Sequence, residues 1–211
     1  MAWSAAIRAG AVLAAFVGLG LSLVAGVYEL TAERISAAER QVVLDRLATI
    51  LPREHDNEPD EDAYQVSSPI PDGEPARVYP AYRDGEFIAA AIEAQTPEGY
   101  AGPIRLLIGI NAQGKVLGVR AVAHRETPGL GDAIEASRSD WINNFTGHSL
   151  GDPPPEQWRL HGDGGDFDGI TSATITARAV VGAVREVLQD FQAQPHRYTG
   201  KQQVIQNGNH Q

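Results

Sequence analysis

Cysteine is absent from this chain of 211 residues, and acidic residues outnumber basic ones by 27 to 17. Without a thiol, the protein can form no disulfide, no cysteine-ligated zinc or iron–sulfur site and no thiol nucleophile. The six histidines are scattered, with no His-x-x-x-His pair, so we expect no metal site. The formal net charge of −10 argues against a nucleic-acid partner, because phosphate binding needs clustered lysine and arginine.

A long uncharged run stands near the start of the chain. Residues 9–28 contain no charged side chain and are rich in Val, Leu, Ala, Gly and Phe. As a helix, a run of this length spans about 30 Å, the thickness of a bilayer core. A cleavable signal peptide is the alternative, but its apolar core is usually shorter, roughly 7–15 residues. We therefore predict one transmembrane anchor within residues 1–28.

The remainder of the chain divides by composition into four segments. Apolar residues at helical spacing predict a helical stalk over residues 29–51, which Pro52 ends. Residues 52–75 are acidic and rich in proline, so we expect an extended, solvated connector. Residues 76–191 carry the periodic apolar patterns of a folded domain. Residues 192–211 predict a polar, poorly packed tail.

The folded domain is predicted to be α+β. Two β-like runs flank Asp84-Gly85 and two more flank residues 111–114, which predicts two antiparallel hairpins. Apolar residues fall on both sides of the run 116–123, so we expect both faces of that strand to be covered. Residues 176–191 repeat apolar side chains at helical spacing and predict a helix. The expected architecture is antiparallel hairpins with helices at one side.

Hydroxyl side chains cluster where this helix is predicted to begin. They are Thr171, Ser172, Thr174 and Thr176. Thr174 or Thr176 could serve only as the helix N-cap, because a hydroxyl oxygen accepts a hydrogen bond from an unpaired backbone N–H. One cap suffices, however, so a cluster favours a second interpretation. The positive end of a helix dipole can hold a phosphate, and the hydroxyls can donate to that phosphate or be esterified by it.

Two segments resemble the motifs of a known protein family. Residues 168–174, Asp-Gly-Ile-Thr-Ser-Ala-Thr, resemble the flavinylation motif Asp-x-x-Ser/Thr-Gly/Ser-Ala-Ser/Thr. Residues 124–134, HRETPGLGDAI, resemble the second hallmark of the same FMN-binding domain. An anchor, a stalk and these two motifs in order are similar to the G subunit of Rnf-type (Rsx) electron transport complexes, over nearly the whole chain.

The resemblance implies a role for each motif residue. In the family, a flavin transferase takes FMN from FAD and joins its phosphate to the last Thr of the motif, which is Thr174 here. The motif neighbours expected at the cofactor are Asp168, Thr171, Ser172 and Ala173. The loop implied to lie against the flavin comprises Glu126, Thr127, Pro128, Gly129, Leu130 and Gly131. We add Trp141, whose indole follows that loop closely and would either cover a flavin ring or pack in the core.

The implied function is that of a membrane-anchored flavoprotein within a larger complex. It would relay electrons through covalent FMN in an ion-translocating ferredoxin–NAD oxidoreductase, in contact with other subunits and the lipid bilayer. FMN would supply the redox chemistry, so we expect no independent catalytic site in this chain. The alternatives are the C subunit of a sodium-translocating NADH–quinone reductase, another extracytoplasmic FMN domain, or a non-redox anchored binding module.

The side of the membrane on which the domain lies is not fixed by the sequence alone. Arg34, Arg40 and Arg46 follow the apolar run and only Arg8 precedes it, which favours a cytoplasmic domain under the positive-inside rule. The family resemblance implies the opposite, a flavin domain outside the bacterial cytoplasmic (inner) membrane. A long domain can cross regardless of nearby charge, so we follow the resemblance.

Overall fold

The computed structural model describes residues 10, 13, 16–22 and 40–200. The chain divides into two compact units, residues 1–45 and residues 46–211. The predicted transmembrane run, residues 9–28, lies mostly outside the described residues, as does the first part of the predicted stalk. Among the residues that are described, no helix has both the length and the apolar character needed to cross a membrane.

The second unit is built on one antiparallel sheet whose strands follow sequence order. The strands are β1 (Tyr64–Val66), β2 (Ala76–Arg83), β3 (Glu86–Thr96), β4 (Ile104–Asn111) and β5 (Val116–Ala123). Both predicted hairpins are confirmed, as β2–β3 and β4–β5. Asp84 and Gly85 have φ of 53° and 75°, as a two-residue type I′ turn requires. In the second turn, the Asn111 side chain accepts the backbone N–H groups of Gln113 and Lys115.

One face of the sheet packs against the helix α1 (Thr174–Ala193), so the predicted α+β class is confirmed. Val180, Val184 and Val187 recur at helical spacing and are fully buried. They belong to one apolar cluster with Ile92 of β3 and Ile108 of β4. Burial of each such side chain contributes about 1.5–3 kcal/mol, which fixes the helix on the sheet.

Irregular chain connects β5 to α1 and carries both sequence motifs. It contains the 3₁₀ helices Gly131–Ile134, Trp141–Phe145, Pro155–Gln157 and His161–Asp163. An aromatic cluster holds it together: the ring centroids of Phe145 and Phe167 are 5.1 Å apart, and those of Trp158 and Phe167 are 4.8 Å apart. The loop that ends at α1 is therefore anchored on packed rings.

The other face of the sheet is covered by residues 46–51. Leu47, Ile50 and Leu51 are buried there. Gly109 and Gly118 are cross-strand partners, and both lie within reach of the Ile50 side chain. A Cβ on Gly109 would fall 2.0 Å from Ile50 Cγ2, so the glycine leaves the space that Ile50 fills. The prediction that both faces of β5 are covered is confirmed.

Residues 46–51 were predicted as the end of the stalk but pack on the sheet, and two further segments expected to lie outside the folded domain also pack on it. Residues 64–66 of the predicted connector form β1, an edge strand that the sequence did not predict. The expectation of a poorly packed tail was wrong for residues 195–200, where Tyr198 is fully buried and its hydroxyl donates a hydrogen bond to the Asp190 carboxylate. Tyr64 reinforces this packing, since its hydroxyl donates to the Arg197 carbonyl oxygen at 2.9 Å. Tyrosines bury their rings while the hydroxyls remain bonded, which a polarity argument does not capture.

Candidate functional site

The two motif segments converge on one cavity of about 410 Å³. Its wall is formed by Tyr100, Glu126, Thr127, Leu130, Gly131, Ser172, Ala173, Thr174, Ile175 and Thr176. These residues come from the β3–β4 connection, the loop after β5 and the first turn of α1. Cavities that bind cofactor-sized molecules measure about 300–1,000 Å³, so this cavity suits such a ligand.

The helix α1 begins at the cavity without a side-chain cap. Its N-cap position is Ala173, which has no hydrogen-bonding side chain. Ser172 precedes it in the left-handed region, with φ of 64°. The first backbone N–H groups of a helix have no intrahelical partner and carry the positive end of its dipole. The start of α1 therefore offers donors to an anion, and the N-cap interpretation of Thr174 and Thr176 was wrong.

The hydroxyls of the cluster have different surroundings. Thr174 is the first residue of α1, is exposed, and makes no side-chain hydrogen bond to any residue that the structure describes. Thr176 is buried, and its hydroxyl donates to Glu126 Oε2 at 2.5 Å. Thr171 and Ser172 are exposed, and only Ser172 lines the cavity. Thr174 thus presents a hydroxyl at the helix terminus that is free of the described residues, whereas the Thr176 hydroxyl is engaged in a buried hydrogen bond.

Glu126 ties the three walls of the cavity together. It is only 5% exposed, and its Oε1 accepts the backbone N–H of Ala101 at 3.1 Å while Oε2 accepts the Thr176 hydroxyl. Its own backbone N–H donates to Nδ1 of His124 at 3.2 Å. These bonds join the β3–β4 connection, the loop after β5 and the start of α1.

The Glu-Thr-Pro-Gly-Leu-Gly loop turns tightly beside Glu126. The N–H groups of Leu130 and Gly131 donate to the Thr127 carbonyl oxygen at 3.1 and 3.0 Å. Gly129 has φ of 78°, a conformation that favours glycine, and its N–H donates to the Asp132 carboxylate at 2.8 Å. Thr127, Leu130 and Gly131 consequently line the cavity, whereas Pro128 and Gly129 form the turn and do not line it.

An apolar rim surrounds the cavity. Among the described residues of the second unit, the exposed large hydrophobic side chains are Tyr100, Leu130 and Ile175, and all three line the cavity. Exposed apolar groups gathered at one concavity mark a binding site. Tyr100 and Ile175 were not predicted from the sequence. The glycine-flanked segment Gly99-Tyr-Ala-Gly102 was the one local signal that an aromatic side chain stands on a tight turn.

Trp141 and Asp168 lie together, outside the cavity wall. The Trp141 indole N–H donates to the backbone carbonyl oxygen of Asp168 at 2.7 Å, and its ring meets Phe145 edge-on at 5.5 Å. The Asp168 carboxylate lies 3.5 Å from Nε2 of His161. These contacts give Trp141 a packing role at the loop that leads into α1, and its contact with a flavin stays a prediction.

Within the described part of the chain, the cavity wall carries no basic side chain. The nearest helical arginine along α1, Arg178, is engaged by Asp163 through two hydrogen bonds of 2.8 and 3.0 Å. Its hydrogen bonds to the Asp163 carboxylate lower the pKa of that carboxyl and raise the pKa of the guanidinium. Only backbone N–H groups and hydroxyls of this wall are therefore available to an anionic group.

Comparison with known proteins matches this site to one family. The family model described as FMN-binding domain matches residues 99–189, which include all the lining residues, and the RnfG N-terminal region matches residues 1–50. A protein of Pseudomonas aeruginosa, named as the G subunit of an ion-translocating oxidoreductase complex, is 42% identical, over 90% of this chain and 91% of its own. Proteins of the same name from Shewanella baltica and Vibrio cholerae are 43% and 41% identical, over 88% and 85% of this chain and 89% and 87% of theirs.

The similarity extends along nearly the full length of both partners in each comparison, and the FMN-binding match falls on the cavity that the two motifs build. The chain therefore belongs to the family of G subunits of ion-translocating oxidoreductase complexes.

Proposed function

We propose that this protein carries FMN as a phosphoester on Thr174 and relays electrons through it within an ion-translocating oxidoreductase complex. The observation that carries the proposal is the position of Thr174. Its hydroxyl is exposed, makes no hydrogen bond to a described residue, and stands in the wall of the cavity at the uncapped start of α1. Backbone N–H groups at a helix N-terminus bind phosphate.

The residues of the cavity fit both ends of FMN. The start of α1 would hold the phosphate, and the apolar rim of Tyr100, Leu130 and Ile175 would contact the flavin ring. The bound flavin supplies electron transfer, while the protein positions it and tunes its electronics. Among the described residues, no lysine or arginine lines the wall, so no ion pair with them would keep the phosphate from dissociating. A covalent bond to Thr174 removes that loss.

The membrane arrangement is the second part of the proposal. Residues 1–28 would anchor the protein with a single span, and the flavin domain would lie on the extracytoplasmic side of the bacterial inner membrane. The uncharged run of residues 9–28 supports the anchor. The partners would be the other subunits of the complex and a flavin transferase. The transferase would have to act on the side of the membrane where the flavin domain folds. A covalent tether suits that location, because FMN lost outside the cytoplasm could not be rebound from a cytosolic pool.

Covalent attachment is tested by two substitutions at Thr174, with the full chain expressed beside a flavin transferase. Thr174→Ala should abolish flavin fluorescence in denaturing gels and the corresponding adduct in the intact mass. Thr174→Ser keeps an oxygen at nearly the same place, so some attachment should survive. Thr146→Ala is the control, because Thr146 is exposed, stands outside the motif and does not line the cavity. Retained covalent flavin in Thr174→Ala would overturn the assignment.

Topology is tested by a reporter that is active only outside the cytoplasm. The reporter should be fused beyond residue 200, because Tyr198 is buried and a fusion directly after α1 would remove it. We expect activity from this fusion and none from the same fusion to a reporter that is active only inside the cytoplasm. The reverse result would place the flavin domain in the cytoplasm, as the arginine count favours.

A further inference from the structure

We propose that the buried carboxylate of Glu126 lowers the reduction potential of the flavin, an inference that rests on the proposed FMN site. Glu126 lines the cavity and is 5% exposed, so water screens it poorly. Among the described residues, no other acidic or basic side chain lines the same cavity. The charge of this one side chain therefore acts on the cavity without a counter-charge in the wall.

Both carboxyl oxygens of Glu126 are held by hydrogen bonds. Each carboxyl oxygen accepts a hydrogen bond, Oε1 from the Ala101 N–H at 3.1 Å and Oε2 from the Thr176 hydroxyl at 2.5 Å. An ionised carboxylate only accepts hydrogen bonds, and the two donors found here match that pattern. Within the part of the chain that the structure describes, no salt bridge neutralises it. Burial of a carboxylate costs free energy unless the group is hydrogen-bonded in this way.

Two glycines provide the space in which the carboxylate sits. A Cβ on Gly99 would lie 2.9 Å from Glu126 Oε1, and a Cβ on Gly131 would lie 2.9 Å from Oε2. Both distances are shorter than an ordinary van der Waals contact. The carboxylate is thus enclosed from both sides with its oxygens fixed, and a fixed charge keeps its full effect on a neighbouring group.

Reduction adds electrons to the flavin, and a fixed negative charge beside the flavin opposes that addition. The midpoint potential is therefore lower with Glu126 ionised than with a neutral side chain of the same shape. In a low-dielectric wall this effect is larger than for an exposed carboxylate at a similar distance. If the charge changes the equilibrium of a one-electron step tenfold, the potential shifts by about 59 mV.

The test is a redox titration of the full chain with its flavin bound, with electrons supplied by an electrode and the flavin followed by its absorbance. Glu126→Gln removes the charge and keeps the size of the side chain. We expect the midpoint potential of Glu126→Gln to be higher by about 59 mV or more per one-electron step, which corresponds to at least a tenfold change in the equilibrium constant of that step. Glu98→Gln is the matched control, because it makes the same chemical change at an exposed carboxylate and should shift the potential far less.

A second variant separates charge from architecture. Thr176→Ser keeps the hydroxyl that donates to Glu126 and changes the packing beside the carboxylate by one methyl group. A charge effect predicts an unchanged or lower potential in this variant, whereas a purely structural role predicts a rise like that of Glu126→Gln. If Glu126→Gln does not fold, Glu126→Asp takes its place. Glu126→Asp keeps the charge, so its potential should remain near that of the unmodified chain, and a rise would overturn the inference.

The outcomes distinguish this inference from the function beneath it. Equal potentials in the unmodified chain and Glu126→Gln, with flavin present in both, would overturn the inference alone. A rise in Thr176→Ser equal to that in Glu126→Gln would also overturn it. Absence of flavin from the unmodified chain would overturn the proposed function and this inference with it.

Discussion

Replacement of Gly131 by alanine tests how tightly the flavin cavity is built. A Cβ at this position would lie 2.8 Å from the Cβ of Glu126, 2.9 Å from its Oε2 and 3.2 Å from Thr176 Oγ1. Carbon atoms pack optimally at about 3.5–4.0 Å, so Glu126 has to withdraw. Its withdrawal stretches the buried bond to Thr176.

The expected cost of Gly131→Ala follows from these contacts. Overpacking costs about 1–3 kcal/mol, and a hydrogen bond to a charged group contributes about 1.5–3 kcal/mol. Relieving the clash is what breaks the bond, so the two do not add in full. We expect a loss of about 2–4 kcal/mol in the free energy of unfolding, measured by urea denaturation followed by tryptophan fluorescence, together with reduced flavin content.

The control for Gly131→Ala is Gly114→Ala in the β4–β5 turn. Gly114 has φ of 78° and open space where a side chain would stand, so the substitution adds only backbone strain of about 1–2 kcal/mol. It should leave the flavin content unchanged. If Gly131→Ala were as stable as the unmodified chain, or held flavin as Gly114→Ala does, the close contact around Glu126 would not be required for the site.

Three further predictions concern the loop, the sheet and the C-terminal segment. Gly129 and Gly114 both have φ of 78° with open space around them, so a valine strains the backbone equally at both positions. Only Gly129→Val should alter the flavin absorbance spectrum. Equal spectra in the two variants would place the loop away from the flavin. Ile50→Ala should lower the free energy of unfolding by about 2–4 kcal/mol in urea denaturation, since the side chain is 4% exposed; a loss below ~1 kcal/mol would contradict its burial against Gly109. Burial raises the pKa of Tyr64 from 10.0 to about 12, so the native state holds this proton more tightly; the resulting stability is complete below pH 10 and is lost as the pH rises towards 12. Tyr64→Phe should cost about 1–2 kcal/mol at neutral pH and weaken this alkaline loss in unfolding measured across pH, whereas an unchanged alkaline profile would assign the loss to other groups.

Local signals predicted the regular elements of the second unit. Asp84-Gly85 predicted its hairpin because a type I′ turn needs positive φ at both positions, which asparagine, aspartate and glycine tolerate best. Apolar residues on both faces of β5 predicted that both faces are covered, and Ile50 covers one of them. The edge strand β1 was missed because three residues carry no periodicity, and it lies within a segment rich in acidic residues and proline.

The site was predicted only as far as its two motifs reach. The resemblance located the loop at Glu126 and the start of α1 at Thr174, but not the contacts between them. The bond from Thr176 to Glu126 joins residues 50 positions apart, and Tyr100 comes from a third segment. Such convergence depends on how the sheet and the helix pack, which neither periodicity nor composition encodes.

The N-cap interpretation failed for a physical reason that also bears on function. A threonine near a helix start is a good cap only when it occupies the N-cap position itself, and here Ala173 occupies it. The chain thereby forgoes about 1 kcal/mol that a capping hydroxyl contributes. Uncapped N–H groups beside an exposed Thr174 hydroxyl are what a phosphoester at that residue needs.

Fragmentation mass spectrometry of one tryptic peptide tests the central claim most directly. Trypsin cuts after Arg159 and Arg178, so residues 160–178 are released with all four clustered hydroxyls on one peptide. We expect a single FMN adduct on this peptide from the flavinylated full chain, and fragment ions that place it on Thr174. An adduct on Thr171, Ser172 or Thr176, or a peptide without flavin, would contradict covalent attachment at Thr174.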